Sequence, residues 1–195
     1  MKSLKKAILL FAVTFISLQM YAQRIRVVEG KVPDLKNEKS VNTEFTYDNI
    51  SVGKFDKEAD YIKNKTEEYN KKEAGRGDSW AKKWVEDREL RYEPKFDELF
   101  TKYSDLTIDN NAKYTIIFHT TFMEPGFNIG ITRKNAFING EVLIVETANK
   151  NNVIAKLSLD KAPGNSFWGN DYDTGERLSE TYATAGKSLG KFIKK

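Results

Sequence analysis

The chain has 195 residues, with 32 Lys+Arg against 28 Asp+Glu for a net charge of +4 at pH 7, and no cysteine. That length suits one domain with one core. The missing thiols exclude disulfides, thiolate metal sites, a cysteine nucleophile and the cysteine-linked lipid of a lipoprotein anchor.

The first 22 residues read as an address label. Lys2, Lys5 and Lys6 form a positive start, an apolar run covers 7–18, and Ala22 offers a small residue for cleavage before Gln23. This is the layout of a secretory signal peptide. Without it the chain carries 29 basic against 28 acidic residues, a net +1, so electrostatics give little reason to expect a nucleic-acid partner. The expected product is periplasmic or secreted, with no membrane anchor after cleavage. Residues 23–195 then form a single α/β domain.

Residues 24–29 read as a short strand. Residues 31–39, with Pro33, read as a loop, and 41–52 as a second strand, Val41, Thr43, Phe45 and Tyr47 sharing one face. The period changes at Asp56. Phe55, Ala59, Ile62, Thr66 and Tyr69 recur at helical spacing. Gly75 and Gly77 break that helix, and the Arg76-Gly77-Asp78 tripeptide reads as a turn. Asp78 or Ser79 caps a second helix to about residue 90, with Trp80 and Trp84 expected against the sheet. Pro94 opens a third, with Phe96, Leu99, Phe100 and Tyr103 in one stripe. Residues 56–104 are thus a helical excursion between strands.

The pattern then turns to β. Residues 114–122 are rich in Ile, Phe and Thr, and Phe127, Ile129 and Ile131 alternate with small or polar residues. The run 142–145 is apolar on both faces, as a central strand requires. Residues 149–152 read as a turn, followed by strict alternation of Val153, Ala155, Leu157 and Leu159. Asn139-Gly140 fits either a hairpin turn or a bulge in one long strand. After a Gly-rich loop at 163–170, a helix is expected over 174–193. Asp173 and Glu176 suit a capping box, and Leu178, Tyr182, Ala185, Leu189 and Phe192 form its apolar stripe. Ala183, Gly186 and Gly190 add a strip of small residues, suited to close approach to a sheet.

Chemistry-bearing patterns are sparse. His119, the lone histidine, lies within a strand pattern, and no Gly-x-Ser-x-Gly elbow exists. Asp171 and Asp173 resemble the start of a calcium loop, but the helix cap accounts for Asp173 and Glu176 without a metal. Glu124 and Asp171 are the least generic acids for a paired-carboxylate hydrolase. No cofactor, metal site or catalytic residue is assigned. Candidate contact residues are Phe127, Arg133, Phe167, Trp168 and Asp171, on two loops, 123–135 and 163–172, that combine glycine with aromatic side chains.

Residues 114–122, Glu124-Pro125-Gly126, Gly130 and Arg133 are followed by a core strand over 141–147 and a second strand to Asp160. The Gly164–Gly169 loop and then Arg177, Ala183, Ala185, Gly186, Leu189 and Ile193 complete the pattern. Together these resemble bacterial envelope domains akin to the small α/β domain of the curli secretion channel protein and the amino-terminal domain of the Tol translocation protein. The resemblance spans about residues 112–195 and implies a hairpin of long strands crossed by a C-terminal helix, with a scaffolding role and no catalysis. Relatives of that kind often carry a lipid on cysteine, which this chain lacks.

The resulting expectation is an α+β, single sandwich-like domain with an antiparallel or mixed sheet of about five strands and helices mainly on one face. Its expected role is a non-enzymatic interaction or assembly module of the bacterial cell envelope with an envelope protein as partner. The alternatives are a soluble sugar- or peptide-binding protein using Trp168, or a carboxylate-based hydrolase.

Overall fold

The computed structural model describes residues 24–129, 132–164 and 174–195. The expected signal peptide, Ile131, Phe167, Trp168, Asp171 and Asp173 lie outside them. In chain order the elements are β1 (Arg24–Gly30), a 3-10 turn (Leu35–Asn37), β2 (Ser40–Thr46), β3 (Ser51–Val52), α1 (Glu58–Lys72) and α2 (Arg76–Asp87). A π turn (Arg88–Tyr92), α3 (Glu93–Ser104), β4 (Thr107–Ile108) and β5 (Tyr114–Glu124) follow. The remainder is β6 (Phe127–Ile129), β7 (Thr132–Lys134), β8 (Phe137–Glu146), β9 (Asn149–Pro163) and α4 (Thr174–Ile193).

The fold is α+β around a mixed sheet of seven strands, two more than expected, ordered β1-β9-β8-β5-β2-β4 with β3 also on β5. The extra strands, β3 and β4, are two residues each and too short for a periodic signal. The segment 41–52 is not one strand: a turn with Asn49 at φ 56° separates β2 from β3, and both pair in parallel with β5. Antiparallel pairing joins β5, β8, β9 and β1.

Val142, Ile144 and Val145 are fully buried in β8, as a central strand requires. Asn139-Gly140 is no hairpin turn. It lies inside continuous β8, where the register slips against both neighbours. A Cβ on Gly140 would sit 2.8 Å from the Phe118 ring, so the glycine makes room for that aromatic. The β8–β9 turn falls at residues 147–148 and not 149–152, because Glu146 already pairs with Asn149.

One face of the sheet is covered. Ile116, Phe118, Val142, Ile144, Leu157 and Leu159 are at most 1% exposed, whereas the alternating Ile117, His119, Glu141, Leu143, Lys156 and Ser158 stay partly exposed. Helix α4 spans 174–193 as expected, with Leu178, Tyr182, Ala185 and Leu189 fully buried. Each large apolar side chain buried this way contributes about 1.5–3 kcal/mol.

The small-residue strip of α4 faces a helix instead of the sheet. A Cβ on Gly186 would meet the Phe96 carbonyl oxygen at 2.2 Å, and one on Gly190 the Phe100 carbonyl oxygen at 2.7 Å. Two bare backbones meet because Phe96 turns its ring toward Phe118 and Phe45 in the core and Phe100 stacks on Phe96.

The helical excursion also differs in detail. Trp80 and Trp84 are buried against Tyr61 and Tyr69 of α1, with ring centroids 5.0–5.7 Å apart, and not against the sheet. That cluster rotates α1 so that Tyr61 and Tyr69 are buried and Ala59 is exposed. Arg76-Gly77-Asp78 is the first turn of α2, not a free turn. Gly75 in the left-handed region precedes it, and neither Asp78 nor Ser79 caps the helix. Helices α2 and α3 run on through the π turn, where the Glu93 N–H donates to the Arg88 carbonyl one residue beyond α spacing. Pro94, which lacks an N–H, sits just past it in the first turn of α3. Among the described residues no helix is long and apolar enough to cross a membrane.

Candidate functional site

The C-terminal ends of β5 and β9, the start of β8 and the N-terminus of α4 meet at one end of the domain. The segment 123–135, expected as a loop, is largely a β-hairpin, β6 paired with β7. Its base is fixed by buried polar groups. Glu124, 8% exposed, accepts a hydrogen bond from the Gly126 N–H at 3.1 Å and pairs with Lys134. Arg177 on α4, 4% exposed, donates from Nε to the Pro125 carbonyl at 3.1 Å and from Nη2 to the Gly126 carbonyl at 3.4 Å. Those carbonyls would otherwise lose water without a replacement partner.

The second predicted contact loop starts at the same place. The Gly164 N–H donates to the Ala136 carbonyl at 2.9 Å. A Cβ on Gly164 would lie 2.5 Å from the Arg177 carbonyl oxygen. Arg177 therefore touches the hairpin base through its side chain and borders the exit of β9 through its backbone. Under the first turn of α4 lies Asp87, 4% exposed and bridged to Arg91 at 3.1 Å. A Cβ on Gly175 would strike its carboxylate. An anion beneath a helix N-terminus meets the positive end of the helix dipole.

Of the sequence candidates, Phe127 is half-buried at the start of β6, and Arg133 is exposed on β7 opposite Asn128. Phe167, Trp168 and Asp171 lie outside the described residues. A depression of about 320 Å³ beside the hairpin base is lined by Asn135, Ala136, Phe137, Lys161 and Pro163. Arg177 entered the sequence reading only as part of the envelope-domain resemblance and was not among the contact candidates. Its signal was present: an arginine beside Leu178 on an apolar stripe is a buried charge in need of acceptors.

A larger groove of about 620 Å³ lies between β2 and α3, with Glu44, Glu89, Glu93 and Asp97 among its lining residues. Glu124, one of the two acids singled out from the sequence, is not among those lining residues; its contacts are with Gly126 and Lys134 at the hairpin base. Burial raises the Glu93 carboxyl against a hydrogen bond from Tyr47 that lowers it. Burial pushes Asp97 up to about 6, opposed by a hydrogen bond from Thr43. A carboxyl raised in the fold destabilises it as pH climbs from the unfolded value through the folded one. Stability should therefore fall between about pH 4 and pH 6 on this account. Asp97→Asn should remove that slope and stabilise the protein at pH 7 by about 1 kcal/mol, after discounting the screening of a half-buried group. Denaturant midpoints at pH 4 and pH 7 check this.

His119 lies on the open face of the sheet, its Nδ1 2.8 Å from Thr46 Oγ1. Among the described residues no group of three or more His, Asp or Glu side chains is arranged to hold a metal ion.

No family model matches the chain, and no curated protein matches it. Among solved structures, the PelC dodecamer from Paraburkholderia phytofirmans aligns with a TM-score of 0.35 at 10% sequence identity, covering 84% of this chain and 96% of that one. A point variant of the same dodecamer gives the same values.

Proposed function

We propose that this chain is an exported, non-enzymatic interaction or assembly module of the bacterial cell envelope, meeting an envelope protein through the end of the domain that carries the β6–β7 hairpin. The signal-peptide pattern and the envelope-domain resemblance support the location. The observation that carries the contact surface is the Arg177 clamp. A buried guanidinium holds Pro125 and Gly126, while Thr132, Arg133 and Lys134 above them stay exposed. Exposed side chains on a rigid base bind with little ordering cost. Trp168 and Phe167, contact candidates from the sequence, are aromatic residues of the kind that dominate interface energy.

Crosslinked pull-downs from native envelope fractions test the reading. Arg133→Glu and Trp168→Ala should each cut capture of the partner by about tenfold or more, as expected for contact residues. The thermal midpoint should stay within about two degrees, because surface changes cost little stability. Undiminished capture by both variants would remove the hairpin end from the interface. The 320 Å³ depression beside Phe137 and Pro163 favours a second reading, a soluble sugar or peptide binder. That reading requires a saturable change in tryptophan fluorescence with ligand, lost in Trp168→Phe.

A further inference from the structure

The strand β1 ends the sheet and pairs with β9 on one side. Six of its seven residues are exposed, including Val27 at 45% and Val28 at 61%. A long edge with exposed valines offers unpaired main-chain groups to another strand. Its side chains have an unusual arrangement. Arg24 and Arg26 pair with Asp160 and Ser158, and Ile25 and Val27 pair with Leu159 and Leu157. Then the register slips: Val28 is skipped and Glu29 pairs with Lys156. Side chains directly opposite in a ladder share a face, so Arg24, Arg26 and Glu29 lie together on the open face of the sheet. Ile25, Val27 and Gly30 lie on the helix-covered face. The bulge thus brings Arg26 and Glu29, three positions apart, onto one side, which a regular strand forbids.

We propose that β1 is a self-pairing edge, and that two copies of the chain join antiparallel through it about a two-fold axis passing between Val27 and Val28. In that register Arg26 faces Glu29 of the second copy, twice by symmetry, and Val27 faces Val28. On the helix side Ile25 faces Gly30, so no two bulky side chains oppose each other there. The charge pattern is complementary to itself, as an isologous contact demands. Arg26 is available for the exchange, since it reaches Asp160 at 3.9 Å with both side chains largely in solvent. The rival reading is that the bulge and charges blunt the edge against pairing, and it predicts a monomer. The proposal is independent of the hairpin-end contact, which lies elsewhere on the chain.

Sedimentation of the protein purified from its expressing cells, over a range of concentrations into the high micromolar, decides between them. The expected result is a concentration-dependent dimer. Arg26→Glu places like charges opposite each other at both symmetric positions and should weaken the dimer by at least about tenfold. Val28→Lys should do the same. Adding Glu29→Arg to Arg26→Glu should restore dimerisation to within a few-fold of the parent. All of these positions are exposed, and an unchanged circular dichroism melt will show that each variant folds. A monomer at every concentration overturns the proposal. So does a dimer indifferent to Arg26→Glu and Val28→Lys, or a double variant no better than the single one.

Discussion

Gly186→Val should lower unfolding free energy by about 3 kcal/mol, the upper part of the range for overpacking a filled core. Even Gly186→Ala should destabilise the fold. That inverts the usual sign, because replacing a mid-helix glycine with alanine ordinarily gains up to about 1 kcal/mol of helix propensity. The reason is geometric. The new methyl group would sit 2.2 Å from the Phe96 carbonyl oxygen, and that atom belongs to the backbone of α3 and cannot swing aside. Gly75 offers the control, with open space around its Cβ position but a left-handed φ of 79°. Alanine there should cost about 1 kcal/mol through backbone strain alone. Denaturant titrations of the three variants, with slopes compared, would separate the mechanisms. A neutral Gly186→Ala would mean that α3 and α4 are not packed backbone to backbone.

Glu58→Ala should cost about 2–3 kcal/mol, between the loss for an exposed ion pair and that for a fully buried one. Both Glu58 oxygens lie 2.6 Å from Arg88 Nη2, and Oε1 also accepts the Trp84 indole N–H at 2.7 Å. Removing the carboxylate strands a guanidinium that is only 16% exposed, beside an unmatched indole donor. The Arg88 side chain also lies over the Tyr47 ring at 4.4 Å, so its displacement disturbs the junction of β2 with α3. Arg88→Met should cost less, since a flexible apolar side chain refills that space. A double-mutant cycle should report coupling of at least about 2 kcal/mol, and additive losses would show that the pair contributes little.

The elements visible beforehand were those with strong periodicity. Helix α4 was legible from its stripe of Leu178, Tyr182, Ala185 and Leu189, and β8 from the run Val142 to Val145. What escaped was set by partners distant in the chain. The face of α1 is chosen by Trp80 and Trp84, which no window around Tyr61 contains. The glycine strip of α4 correctly signalled close approach, yet nothing local says whether a helix or a sheet fills the notch. Strands β3 and β4 exist because β5 and β2 offer them hydrogen bonds, not through any pattern of their own. At the hairpin end, Arg133 is exposed and Phe127 half-buried. The Arg177 clamp beneath them was not legible, because its acceptors are carbonyls, and carbonyls have no sequence signature.

The notch on α4 has a consequence for how the molecule comes into being. Phe96 and Gly186 stand far apart along the chain, so their union must bear the entropy of closing a long loop. Until α4 is made, the Phe118 ring keeps Phe96 and Phe45 but lacks its Tyr182 neighbour, and that part of the sheet face is uncovered. The fold thus waits on α4 before its core can close. A truncation that removes α4, with Leu178, Tyr182, Ala185 and Leu189, should leave a sticky, protease-sensitive remnant.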